Sequence, residues 1–169
     1  MSDTLITVIA IALAAVLMFV FPLMTTADRA DDTAQVTLQT STDEFVLNIA
    51  NTGKLTEDDY DKFVQKISNP NTYDVEIEFQ ILDENIGKKT IQVNSKTIGE
   101  NTYYSEYTSQ IIEQLKNNSN HEITLKEGDI VTVTVANSNK TISAQLSGTM
   151  NDSATITASS TQTVTTNGN

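Results

Sequence analysis

The sequence predicts an α+β protein, with a long N-terminal membrane-spanning and stalk helix followed by a small head of antiparallel sheet and short helices. Three observations carry this expectation. Residues 5–24 form an uncharged apolar run, and residues 30–49 continue it with apolar side chains spaced by three and four. After residue 72 the period drops to two, through Tyr73, Val75, Ile77, Phe79 and Ile81. The first two patterns belong to helices and the third to a half-buried strand.

The apolar run, LITVIAIALAAVLMFVFPLM, has Thr7 as its only hydroxyl. About 20 such residues in a helix cross a hydrocarbon core of about 30 Å. On the outside of a soluble domain they would leave an apolar surface bare to water all round. The flank before it, residues 1–4, carries no Lys or Arg. The run also exceeds the roughly 7–15 apolar residues of a cleaved secretory signal, and residues 19–26 hold no Ala-x-Ala site. Retention as an anchor is therefore expected, with Pro22 kinking the helix near its outer end. Few charges flank the run: Asp3 on one side, and Arg29 among Asp28, Asp31 and Asp32 on the other. So short an N-terminus is easily left inside, which favours an extracellular C-terminal domain.

Residues 25–52 read as an amphipathic stalk. Ala30, Ala34, Leu38, Ser41 or Thr42, Phe45, Val46 and Ile49 share one face, and Asp32, Gln35, Gln39, Asp43 and Asn51 the other. Gly53 suits the left-handed position that closes a helix. The remainder, residues 53–169, is the head. Thr56 is placed to cap a second helix, with Glu57, Asp58 and Asp59 in its first turn, where carboxylates favour the positive end of the dipole. Leu55 and Tyr60 sit where a hydrophobic staple would. Tyr60, Phe63, Val64 and Ile67 then keep helical spacing until Asn69-Pro70-Asn71.

The alternating strand from Tyr73 follows, then a turn at Asn85-Ile86-Gly87 and a partner strand at Thr90–Val93. Tyr104, Tyr107 or Thr108, Ile111, Ile112 and Leu115 are spaced as a third helix that fades at Lys116-Asn117-Asn118. Ile123–Leu125, the turn Lys126-Glu127-Gly128-Asp129 and Ile130–Ala136 suggest a hairpin. Thr141–Met150 fits helix or strand. Ala154–Ala158 and Thr161–Thr165 read as short strands, with a frayed end at Asn167-Gly168-Asn169.

Composition narrows the function. The net charge of −12 repels nucleic-acid phosphates and anionic membrane surfaces alike. With no cysteine there is neither a disulfide framework nor thiolate chemistry. The lone His121 follows a polar loop, with no second catalytic group at a telling distance. The acids Glu57, Asp58, Asp59 and Asp61 lack the alternating oxygens and turn glycine of a calcium loop, and a helix N-terminus accounts for them. The sequons at Asn117, Asn139 and Asn151 are about what chance yields in so Asn- and Thr-rich a chain. No enzyme, cofactor or metal is expected.

Two readings of the long helix remain open at this level. Its apolar face, with Leu38, Phe45 and Ile49, packs on the chain's own sheet, or part of it packs against other copies. Ala12, Ala14, Ala15, Ala30 and Ala34 are small enough for close helix–helix approach, and Leu38 extends that set. Phe45, Ile49, Tyr60, Phe63, Val64 and Ile67 are the expected contacts between stalk and head.

The segment FVLNIANTGKLTEDDYDKFVQKISNPNTYDV, residues 45–75, resembles a family of pilin-like proteins of Gram-positive bacteria associated with Tad-type pilus or secretion components and integrative elements. Phe45, Gly53, Leu55, Thr56, Tyr60, Phe63, Lys66, Ile67 and Ser68 match the family phrase. LKEGDIVTVTVANSNKTI, residues 125–142, is similar to its second signature. The resemblance implies a type IV pilin-like fold and a non-catalytic subunit. Such a subunit assembles through its N-terminal helix, with copies of itself or related subunits, into a surface filament or a pilus, secretion or conjugation apparatus. The sequence departs from a prepilin in having no glycine before Gly53, and Leu5 where a glutamate would stand, which points to a minor or scaffold subunit. The alternative is an anchored adhesin-like or envelope-sensing module that does not polymerise.

Overall fold

A computed structural model of the chain describes residues 2–68, 72–82, 103–139, 141, 144 and 155–168. Helix α1 spans Ser2–Thr52, 51 residues with Pro22 inside it, or about 75 Å of helix. Its burial switches on part-way. The side chains of residues 3–23 are exposed all round, whereas Ala27, Leu38, Ser41, Thr42, Phe45, Val46, Ile49 and Ala50 are buried. Those positions recur at spacings that keep one face toward the head. The helix ends at Gly53, whose φ of +66° is open to glycine at no steric cost.

Strand β1, Lys54–Thr56, leads into α2, Glu57–Ile67. The Thr56 hydroxyl accepts from the Asp59 amide at 3.1 Å and donates to the Asp59 carboxylate at 2.7 Å, so one of the orphan donors of the first turn is satisfied. Phe63 of α2 stacks on Phe45 of α1 with ring centroids 4.2 Å apart and planes within 3°. Ser68 donates its amide to Val64 O at 3.0 Å and closes the helix. The expected stop at Asn69-Pro70-Asn71 lies outside the described residues.

Strand β2, Tyr73–Leu82, runs beside β3, Tyr103–Tyr107, and leads the main sheet. Helix α3, Thr108–Asn117, follows, then β4, Glu122–Thr124, β5, Ile130–Asn137, and β6, Thr157–Thr163. The main sheet has the order β3-β2-β5-β6 and is antiparallel throughout, while β1 and β4 form a separate two-stranded pair. Its inner face, with Ile77, Phe79, Val131, Val133, Val135 and Ala158, packs with Phe45, Val46 and Ile49 of α1 into a single buried core. The α+β class with a long apolar N-terminal helix thus stands.

Several local expectations differ from the structure. Tyr104 belongs to β3, not to a helix, because Tyr-Tyr-Ser-Glu-Tyr pairs along β2 from Glu78 to Leu82, and aromatic residues suit that pleated surface. Thr108 starts α3, and its hydroxyl accepts from Ile77 N at 2.7 Å and donates to Ile77 O at 3.2 Å, extending the ladder with a side chain. Residues 123–136 do not form a hairpin. The turn is real, with Gly128 at φ +99° and Asp129 N donating to Lys126 O, but it carries the chain from one sheet to the other. Asp129, 2% exposed, anchors the turn by accepting from Lys126 N at 2.7 Å and from Leu82 N at 2.8 Å.

The last segment is one strand, not two short ones. The end is not frayed as far as residue 168: Val164 N donates to Asp129 O, Thr165 N to Ala50 O and Gly168 N to Leu125 O, at 2.7 to 2.9 Å. The expected turn at residues 85–87 and strand at 90–93 lie outside the described residues. So does most of 141–150, of which Thr141 and Ala144 are buried.

Candidate membrane and assembly helix

Among the described residues, α1 is the one helix long and apolar enough to cross a membrane. Leu5, Ile6, Val8, Ile9, Ile11 and Leu13 are all more than half exposed, as are Phe19, Phe21 and Leu23 further along. Apolar area of that extent on every side of a helix is unfavourable in water and favourable in hydrocarbon. Backbone polar groups must then be satisfied within the helix. Threonines in and beside this half turn their hydroxyls inward: Thr7 donates to Asp3 O at 2.7 Å, Thr25 to Phe21 O at 3.1 Å and Thr26 to Pro22 O at 2.8 Å. The last two lie just beyond Pro22, which has no amide to give to the turn before it.

The small residues divide into two groups. Ala12, Ala14, Ala15 and Ala30 are exposed. Ala34 is half-buried and packs against the core, and Leu38 is 3% exposed within it. Leu38 therefore packs inside its own chain, which corrects its grouping with the outward alanines. Phe45, Ile49, Phe63 and Ile67 lie in the core, with Tyr60 half-buried against it and Val64 of intermediate exposure. Burial, with Asp61 adding to it, pushes the Tyr60 hydroxyl above its ordinary value.

Two glutamines read as solvent-facing have a structural task. Gln35 accepts from Thr157 N at 3.1 Å and donates to Thr157 O, and Gln39 donates to Ser159 O at 3.1 Å. They occupy the outer edge of β6, where unpaired backbone groups would otherwise face solvent. Nothing in the local sequence marks this, since the partners are more than a hundred residues apart.

His121 is not isolated. Its Nδ1 lies 2.9 Å from a carboxylate oxygen of Glu57 and 3.2 Å from Leu115 O, and its own carbonyl accepts from Glu57 N at 3.0 Å. The pair joins the start of α2 to the connection between α3 and β4. Both side chains are well exposed, so the contact is worth little beyond local order. Among the described residues no group of three His, Asp or Glu side chains is placed to hold a metal ion.

No protein-family model, curated protein or solved structure matches the chain.

Proposed function

We propose that this chain is a non-catalytic, membrane-anchored, pilin-like subunit. Residues 5–24 lie in the bilayer, the head faces outward, and α1 packs against the helices of other copies or related subunits in a surface filament or pilus-like secretion or conjugation apparatus. One observation carries the reading: a single helix runs without a break from an uncovered apolar half into the core of the head. Its first half is apolar and uncovered on every side, and its second half is built into the head core. A solitary anchor needs only the bilayer, whereas the exposed Ala12, Ala14, Ala15 and Ala30 also permit the close helix approach that membrane interfaces use.

The absence of cysteine permits a clean test. Single cysteines placed at positions 8–30 of the full chain, in membranes of the producing cell, are oxidised and resolved by size. Disulfide-linked dimers at positions recurring with the helical period, together with recovery in the sheared surface fraction, are expected. Ala30→Glu should abolish the dimers while leaving unfolding of the head unchanged. Ala34 is the poorer position, because a charge there would disturb the core as well. Monomers at every position, found only in the membrane pellet, would replace this reading with the non-polymerising anchored module.

A further inference from the structure

The main sheet has one face on the core, and among the described residues no helix or strand covers the other. Along the open side of β2 the alternating positions are Asp74, Glu76 and Glu78, and none of the four strands contains a Lys or Arg. Asp74 and Glu76 are exposed, and their carboxylates make no ion pair or hydrogen bond among the described residues. Glu78 is held in place, accepting from the Ser105 hydroxyl at 2.7 Å and from the Gln80 amide at 3.3 Å. A shallow cavity of about 450 Å³ lies over Glu76 and Glu78, walled by Tyr107, Thr108 and Ser109 on one side and Thr132 and Thr134 on the other, with Asp74 just beyond it along β2. Tyr107 stands opposite Glu78 in the ladder and is 58% exposed. The hydroxyls of the far wall are neutral and already pair with β6, Thr132 with Thr161 at 3.0 Å and Thr134 with Ser159 at 3.1 Å.

The geometry points to a docking groove for an extended, lysine- or arginine-bearing polypeptide segment. Alternate side chains on a strand stand about 6.7 Å apart, so the carboxylates of Asp74, Glu76 and Glu78 match cations at every second position of an extended partner. A compact cation would use only one of them. The exposed Tyr107 ring beside Glu78 adds a face on which an ammonium or guanidinium can rest, and tyrosine is the side chain such surfaces favour. The groove does not involve the outward alanines of α1, so it stands or falls separately from the assembly reading.

The test uses the full chain in a neutral detergent and two labelled peptides of one composition. One alternates Lys with Thr, and the other carries its lysines in a single block. Fluorescence anisotropy at low and moderate salt should show tighter binding of the alternating peptide, weakening as salt screens the charges. Glu76→Gln and Tyr107→Ala should each weaken it by about two- to five-fold, the range of one exposed charge contact, while Asp58→Asn on α2 leaves it unchanged. Equal binding of both peptides, an equal loss from Asp58→Asn, or no binding of the alternating peptide would overturn the assignment.

Discussion

Gly53→Ala tests how the distal end of the head is closed. Gly53 ends α1 with φ +66°, and a Cβ there would lie 2.5 Å from Gly168 N and closer still to Thr166 O. The obstacle is backbone, so no side-chain rotation relieves it. The left-handed conformation alone costs alanine about 1–2 kcal/mol. Making room also moves the tail, which forfeits the bond from Gly168 N to Leu125 O at 2.9 Å and that from Glu127 N to Asn167 Oδ1 at 2.8 Å. At about 0.5–1.5 kcal/mol each, the two bonds bring the expected loss to about 2–5 kcal/mol in total. Urea unfolding of the full chain in detergent, followed by tyrosine fluorescence and far-ultraviolet dichroism, measures it. The same substitution in a chain ending at Thr165 removes the clash and should cost only the conformational share, about 1–2 kcal/mol. An equal cost in both backgrounds, or none in either, would refute the tail's part in the argument.

Two further outcomes follow from the core. Phe63→Ala should destabilise the head by about 3–5 kcal/mol, and a double-mutant cycle with Phe45→Leu should return a coupling of about 0.5–1.5 kcal/mol for the stacked rings; coupling near zero would count against the stacking. Tyr60 is held above its ordinary value of 10.0 chiefly by burial, so its neutral form is favoured in the folded state. Its contribution is complete below that pH and falls away as pH rises through the folded value. Tyr60→Phe should therefore flatten the alkaline decline of stability, as followed by thermal melts across that range, and an unaltered decline would contradict the assignment.

Legibility followed the range of the interactions. The stripe from Ala34 to Ile49, the Thr56 cap and the alternation of β2 are local patterns, and each fixed its element. Tyr104, Tyr107, Ile111 and Leu115 are spaced for a helix, yet pairing with β2 claims the first two, and helical spacing cannot register a ladder made by another segment. The apparent hairpin at 123–136 failed for the same reason, since Leu55 is the neighbour of Ile123. Gln35 and Gln39 looked like solvent-facing polar residues because their acceptors lie on β6. The polar tail looked frayed because its partners, Ala50, Leu125 and Glu127, are remote in sequence. For the long helix, the stripe gives a face but not its target, so Leu38 fits both the chain's own sheet and an assembly surface, and only its burial in the core decides between them.

The burial boundary on α1 bears on how a head is carried by such a helix. Ala27 is already 7% exposed, and the first charge after the apolar run is Asp28. The core stripe of α1 begins with Ala34 and Leu38 and runs to Ile49, within the same unbroken helix that carries the apolar run. A head fixed in this way follows every rotation of the helix, because there is no linker to absorb it. Within the helix the one weak point is Pro22, which lacks an amide and crowds the turn before it. It stands five residues before Ala27, between the exposed half of the helix and the half that carries the core stripe. Bending at Pro22 would reorient the head as a body and leave its core untouched.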